Sequence, residues 1–144
     1  MITQAKKEEI PAIANLAVQM WEDALPEELA EEMPEVIGSD EGVIFTAKEN
    51  GQVIGFAQCQ LRHDYVEGTE SSPVGYLEGI FVAEEFRKKG LAKDLLKACE
   101  DWAREKGCSE FASDCELENK ESLKFHIGVG FEEVNRVICF TKRL

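Results

Sequence analysis

The stretch from residue 76 to 107, YLEGIFVAEEFRKKGLAKDLLKACEDWAREKG, constrains the fold more than any other. Its opening run, YLEGIFV, is β-rich. Beyond Gly90, Leu91, Leu95, Leu96, Ala98, Cys99 and Trp102 form a broad apolar helical face that Gly107 ends. A second β-type run, CSEFASDCEL, comes next. Strand, helix and strand in that order predict a parallel pair joined by a right-handed crossover. The first junction has a chemical consequence. A helix start carries unpaired N–H groups and the positive end of the helix dipole, and both favour an anion. Gly90 lets a ligand approach the backbone there, and the small Ala92 keeps the first helical turn open. Arg87, Lys88 and Lys89 add three cations. Neither the P-loop nor the dinucleotide-binding glycine pattern is present, so RKKGLA alone reads equally as a basic helix start or as a pyrophosphate seat.

The rest of the chain completes an α+β order. A short strand near residues 2–4 precedes a helix over residues 7–24, with Ile10, Ile13, Leu16 or Ala17, and Met20 on one stripe and Pro11 in the first turn. An acidic helix is expected over residues 27–37, cut or kinked by Pro34. In GVIFTAKENGQVIGFAQCQLR, Asn50-Gly51 separates two β-rich runs and predicts a type I′ hairpin. A polar loop over residues 63–75 feeds the strand at Tyr76. Asn119 opens a helix in NKESLKFHIGV, and FEEVNRVICFTKRL reads as a closing antiparallel pair or bulged strand.

At 144 residues the chain is read as a single domain, residues 1–144, able to bury about two thirds of its unfolded surface. The 29 acidic against 16 basic residues give a formal charge of -13, which argues against nucleic acid and anionic membranes and favours cationic partners. The five cysteines, Cys59, Cys99, Cys108, Cys115 and Cys139, lack CxxC spacing and lie in apolar segments, as buried free thiols of a reducing compartment do. With no apolar run of membrane-spanning length, a cytoplasmic location is expected.

Arg87-x-x-Gly90-x-Ala92 after an apolar strand, followed by Asn119 and the GVGF turn at 128–131, resembles the GCN5-related N-acetyltransferase superfamily. The blocks YVEGTESSPVGYLEGIFV, EFASD and GFEE, with Trp21, narrow the resemblance to the short bacterial aminoglycoside 6′-N-acetyltransferases over essentially the whole chain. The resemblance implies a mixed, mostly antiparallel sheet with a central parallel strand pair splayed at the cofactor site and about four flanking helices. It implies an enzyme of antibiotic resistance that acetylates the 6′-amine of aminoglycosides with acetyl-coenzyme A, uses no metal and forms a homodimer. The family pattern puts Trp21, Tyr65, Glu78 and Asp114 in the aminoglycoside pocket. Against coenzyme A it puts Phe81, Val82, Ala83, Arg87, Lys88, Lys89, Gly90, Leu91, Ala92 and Asn119.

A polyamine sugar needs carboxylates for its ammonium groups and aromatic faces for its rings. Without the resemblance, Glu78 on a solvent face, Asp114 ending its strand, and Trp21 and Tyr65 as packing residues are the plainer readings. Because an alkyl ammonium titrates near ~10, transfer requires a proton acceptor, for which Glu78 leads and Asp114 follows. Backbone N–H groups near Phe81 and Val82 are the expected oxyanion donors. Two positions depart from the family. His126 stands where many members carry a tyrosine to protonate the departing thiolate, and it serves either catalysis or packing. Asn135 stands where relatives offer a carboxylate to a substrate ammonium, with Glu132 or Glu133 as compensation. The rival readings are acetylation of a polyamine, peptide or protein, and a non-catalytic coenzyme A-binding module.

Overall fold

The structure is a computed structural model that describes residues 1–21 and 23–144. Asn50 and Gly51 adopt φ of 51° and 78°, the left-handed pair that a tight I′ turn demands. They join β2 (Gly42–Glu49) to β3 (Gln52–Arg62), as the sequence predicts. β1 (Ile2–Gln4) pairs antiparallel with β2, and β4 (Val74–Val82) pairs antiparallel with β3. β5 (Phe111–Ser113) lies parallel to β4, giving the sheet order β1-β2-β3-β4-β5.

Helices cover both faces. α1 (Ile10–Ala17) and α2 (Pro26–Ile37) close Ile10, Ile13, Leu29 and Met33 over Ile44 and Phe56. On the opposite face α3 (Leu91–Glu105) presses Leu95, Leu96, Cys99 and Trp102 onto Val43, Ala57, Cys59, Leu77 and Val82. Fully burying one such aliphatic side chain stabilises by about 1.5–3 kcal/mol, so these two clusters hold the sheet as a rigid platform. α4 (Lys120–Gly128) follows β5 and begins at Asn119, whose side chain accepts from the Ser122 amide at 3.1 Å.

One irregularity in β4 positions the site. Gln58 pairs with Gly79 while the next residue, Cys59, pairs with Leu77, so Glu78 is an extra residue in a β-bulge. The bulge reverses which side chains face which layer. Leu77 faces α3 before it, Ile80 and Val82 face α3 after it, and Gly79 lies beneath Met20 and Trp21 on the α1 side.

Five expectations change. The first helix ends at Ala17 because the chain tightens there: Gln19 and Met20 donate to the carbonyls three residues back, which lays Trp21 over the sheet. α2 continues through Pro34, since Leu29 and Met33 before it and Val36 and Ile37 after it pack on the same cluster. Residues 131–144 form no strand, leaving Val137, Ile138 and Phe140 exposed, up to 86% at Phe140. Their alternating pattern is strand-like, but no strand of the described residues pairs with them. The parallel pair therefore sits at the sheet edge among the described residues rather than at its centre. All five thiols are free as expected, but only Cys59 and Cys99 are buried; Cys108 and Cys115 are half-buried and Cys139 is exposed, against the expectation of burial.

Candidate active site

β4 and β5 pair only from Gly75 to Leu77, so the edge of β4 from Glu78 to Val82 is unpaired on that side. Ala83 donates its amide to Ile54 of β3 at 2.8 Å. Antiparallel strands alternate the direction of successive N–H groups, so Val82 and Ile80 aim theirs at the open edge and Phe81 aims its own at β3. Of the two positions expected to supply oxyanion donors, Val82 aims its N–H at the open edge, as Ile80 does, and Phe81 does not. The Phe81 side chain instead packs with the α1 cluster.

The open edge runs into a cleft of about 400 Å³ between the start of α3 and α4, lined by Val82, Arg87, Lys88, Gly90, Phe125 and Val129 among others. Gly90 has φ of 81° and provides no side-chain cap, and the first helical amide with an acceptor is that of Asp94, to Gly90 at 3.0 Å. The amides of Leu91, Ala92 and Lys93 therefore have no partner within the helix. Lys88 has φ of 64°, a left-handed conformation rare outside glycine, in the same loop.

The three cations divide their work. The Arg87 Nε donates to the Val82 carbonyl at 2.8 Å and its guanidinium lies 5.2 Å from the Phe81 ring centre, tying the loop to β4. Lys88 lines the cleft, while Lys89 lies 5.6 Å from the Phe86 ring centre. Asn119 spends its side chain on capping α4. A separate recess of about 250 Å³ lies at the opposite end of the sheet, between Gly42 and Lys106, away from the open strand edge.

On the α1 face the bulge assembles a charged and aromatic wall. Arg62 donates Nη2 to both Glu78 oxygens at 2.9 and 3.0 Å, and Nε to Oε2 at 3.1 Å. Its guanidinium carbon sits 3.4 Å from the Tyr76 ring centre. Buried Tyr76 donates its hydroxyl to Asp114, just beyond β5. Burial first, and the Asp114 carboxylate second, push the Tyr76 hydroxyl far above its ordinary range, so it remains a donor at neutral pH. The Glu78 hydrogen bond raises the Arg62 guanidinium further, against a smaller opposing effect of burial.

Trp21 closes the wall from the helical side, edge-on to Phe56 at 6.1 Å. A Cβ on Gly79 would lie 2.6 Å from the Trp21 ring, so only glycine allows this contact. The loop opposite is pinned by Glu110, whose Oε1 accepts from the amides of Glu70 and Ser71 at 2.8 and 2.9 Å and from the Ser71 hydroxyl at 2.5 Å. Tyr65 on this loop is 76% exposed.

The structure thus brings Glu78, Asp114 and Trp21 to one wall, with Tyr65 on the adjacent loop. Asn135 lies elsewhere in the network, donating to Glu67 at 3.1 Å. Glu133 pairs with Arg136. His126 donates from Nδ1 to the Ser122 carbonyl at 2.7 Å, which leaves Nε2 to accept from the Ser113 hydroxyl at 2.8 Å. It ties α4 to β5. Sequence reasoning missed Arg62, Tyr76 and Glu110. The local signal for Tyr76 was its two-residue spacing from Glu78; for Arg62 and Glu110 there was none.

Residues 10–131 match the acetyltransferase (GNAT) family model. The chain is 42% identical to an aminoglycoside N(6′)-acetyltransferase type 1 of Salmonella enteritidis, covering 99% of this chain and 98% of that one. It is 39% identical to the protein of the same name from Serratia marcescens, covering 100% and 99%. Among solved structures, AAC(6′)-Iy in complex with the bisubstrate analogue CoA-S-monomethyl-acetylneamine matches at a TM-score of 0.93 and 42% identity, covering 100% and 98%.

Proposed function

Because this chain belongs to the GNAT family of acetyltransferases, we propose that it transfers the acetyl group of acetyl-coenzyme A to the 6′-amine of aminoglycosides. The observation that carries the reading is a single strand edge with two chemistries at its ends. One end meets the bare N-terminus of α3, suited to a pyrophosphate; the other meets Glu78, Asp114 and Trp21, suited to a polycationic sugar.

Transfer proceeds by direct attack in a ternary complex. Leu91, Ala92 and Gly90, with Lys88 and the loop held by Arg87, seat the diphosphate of the acetyl donor. The thioester lies along β4, where the outward amides of Ile80 and Val82 offer hydrogen bonds to the developing oxyanion. Holding the amine beside the thioester converts an encounter into an intramolecular step. Asp114, oriented by Tyr76, and Glu78, oriented by Arg62, hold the substrate ammonium and accept its proton directly or through water. His126 ties α4, one wall of the cleft, to β5. Asn135, whose amide is bonded to Glu67, supplies no charge for a distal substrate amine, so such an amine is held less tightly than a carboxylate at that position would hold it.

The same reading makes the protein a cytoplasmic homodimer. Free thiols fit a reducing compartment, and the exposed apolar residues 137–140 fit a surface that a second copy covers. Light scattering at micromolar concentration checks the dimer, with a monomer as the contrary result. The enzymatic reading is tested by following thiol release with tobramycin, amikacin, gentamicin, spermidine and lysine peptides. Aminoglycoside turnover that falls at least a hundredfold in Asp114→Ala is expected, and turnover on peptides alone would overturn the reading. In a bacterium expressing the gene, resistance to tobramycin is the corresponding phenotype.

A further inference from the structure

The Glu78 carboxylate is not an isolated charge. Arg62 ends β3 opposite Val74, and its side chain reaches back along the strand to the bulge, where it grips both Glu78 oxygens through two nitrogens. The same guanidinium lies over the ring of Tyr76, 3.4 Å from its centre, and the Tyr76 hydroxyl donates to Asp114. Arg62 is thereby in contact with the supports of both carboxylates, and the wall's three charges sum to one negative rather than two. A planar fork does this where an ammonium does not: it lies against a ring and meets a carboxylate along its edge at once.

We propose that Arg62 is a positioning and specificity residue for aminoglycoside acetylation, orienting Glu78 and limiting how much cationic charge the pocket accepts. The inference rests on the aminoglycoside reading given above. Two opposing consequences follow from removing it. Glu78 and Tyr76 lose their common brace, so the bound amine is presented less accurately and kcat falls. The pocket gains one net negative charge, so polycationic substrates bind more tightly at low salt and KM falls with it.

The test compares wild type, Arg62→Met and Arg62→Lys with tobramycin at 20 mM and 200 mM salt. For Arg62→Met the expected result is a kcat reduced about tenfold, a KM reduced severalfold at low salt, and a steeper rise of KM with salt than in wild type. Arg62→Lys retains the charge and not the fork, so its KM and salt dependence stay near wild type while its kcat remains low. A side chain serving only to stabilise the fold would lower the melting temperature without separating KM from kcat or changing the salt response. Wild-type turnover with an Arg62→Met variant of unchanged kcat, or of raised KM at both salts, would overturn this inference alone. Wild type inactive on every aminoglycoside would overturn it together with the reading beneath it.

Discussion

The two ends of the open β4 edge are built from different materials. At the α3 end the free polar groups are mostly backbone: unpaired amides of Leu91 to Lys93, held by a loop with left-handed residues at 88 and 90. At the bulge end they are side chains in series, Arg62 to Glu78 and Arg62 on Tyr76 to Asp114. A backbone site depends on chain path and tolerates side-chain changes. A side-chain relay fails at any link, because a half-satisfied polar network leaves buried groups without partners.

The largest expected effect breaks the bulge end alone. Gly79→Val puts a side chain where Trp21 lies 2.6 Å from a modest Cβ. Aminoglycoside turnover should fall at least a hundredfold, about 3 kcal/mol of transition-state stabilisation, while coenzyme A affinity by calorimetry stays within threefold. Equal loss of both would show that the two ends are not independent.

Next comes Tyr76→Phe, which removes the hydroxyl that orients Asp114. A loss of about tenfold in kcat/KM is expected, with about 1 kcal/mol of stability in urea melts. Gly90→Ala then probes the other end. Nothing lies within 4 Å of the new Cβ, so the only penalty is the left-handed backbone at φ 81°, about 1 kcal/mol. Coenzyme A affinity should drop severalfold, with tobramycin binding unchanged. Lys89→Ala should alter coenzyme A affinity less than twofold, since this side chain lies by Phe86.

The smallest effect concerns pH. The Ser71 hydroxyl first, then the Glu70 and Ser71 amides, hold the Glu110 carboxyl below its ordinary range. A carboxyl depressed in the folded state stabilises above its unfolded pKa and loses that contribution as pH falls through the folded value. The amide protection of the loop it pins, residues 66–72, taken relative to the intrinsic exchange rate at each pH, should therefore fall as pH drops below the ordinary carboxylate range, well before that of the sheet. Uniform exchange across loop and sheet would mean that Glu110 is not its anchor.

How much of this was legible depends on distance along the chain. Asn50-Gly51 and the helix after Gly90 rest on neighbouring residues, and both were read correctly, as was Asn119 opening α4. The carboxylates Glu78 and Asp114 were named through family resemblance, but the side chains that bond to them were not, because Arg62 lies 16 residues from Glu78 and Tyr76 lies 38 from Asp114. That the Phe81 N–H faces β3 while those of Ile80 and Val82 face the open edge was hidden for a similar reason. The direction of an N–H in a strand follows from its hydrogen-bond register, and register belongs to two strands at once.

The tail makes the same point from the other side. FEEVNRVICFTKRL has a strand-like pattern, yet no strand among the described residues pairs with it, and its apolar residues are exposed. The amino-acid sequence by itself determined the types of the elements from β1 to α4, the hairpin turn, the crossover and the anion-favouring helix start, since each depends on backbone preferences and periodicity within a few residues. Tertiary structure alone decided the bulge at Glu78, the orientation of the amides at Ile80 and Val82, and the grip of Arg62. Those arise only when separate strands fall into register and side chains remote in sequence compete for the same space and the same protons.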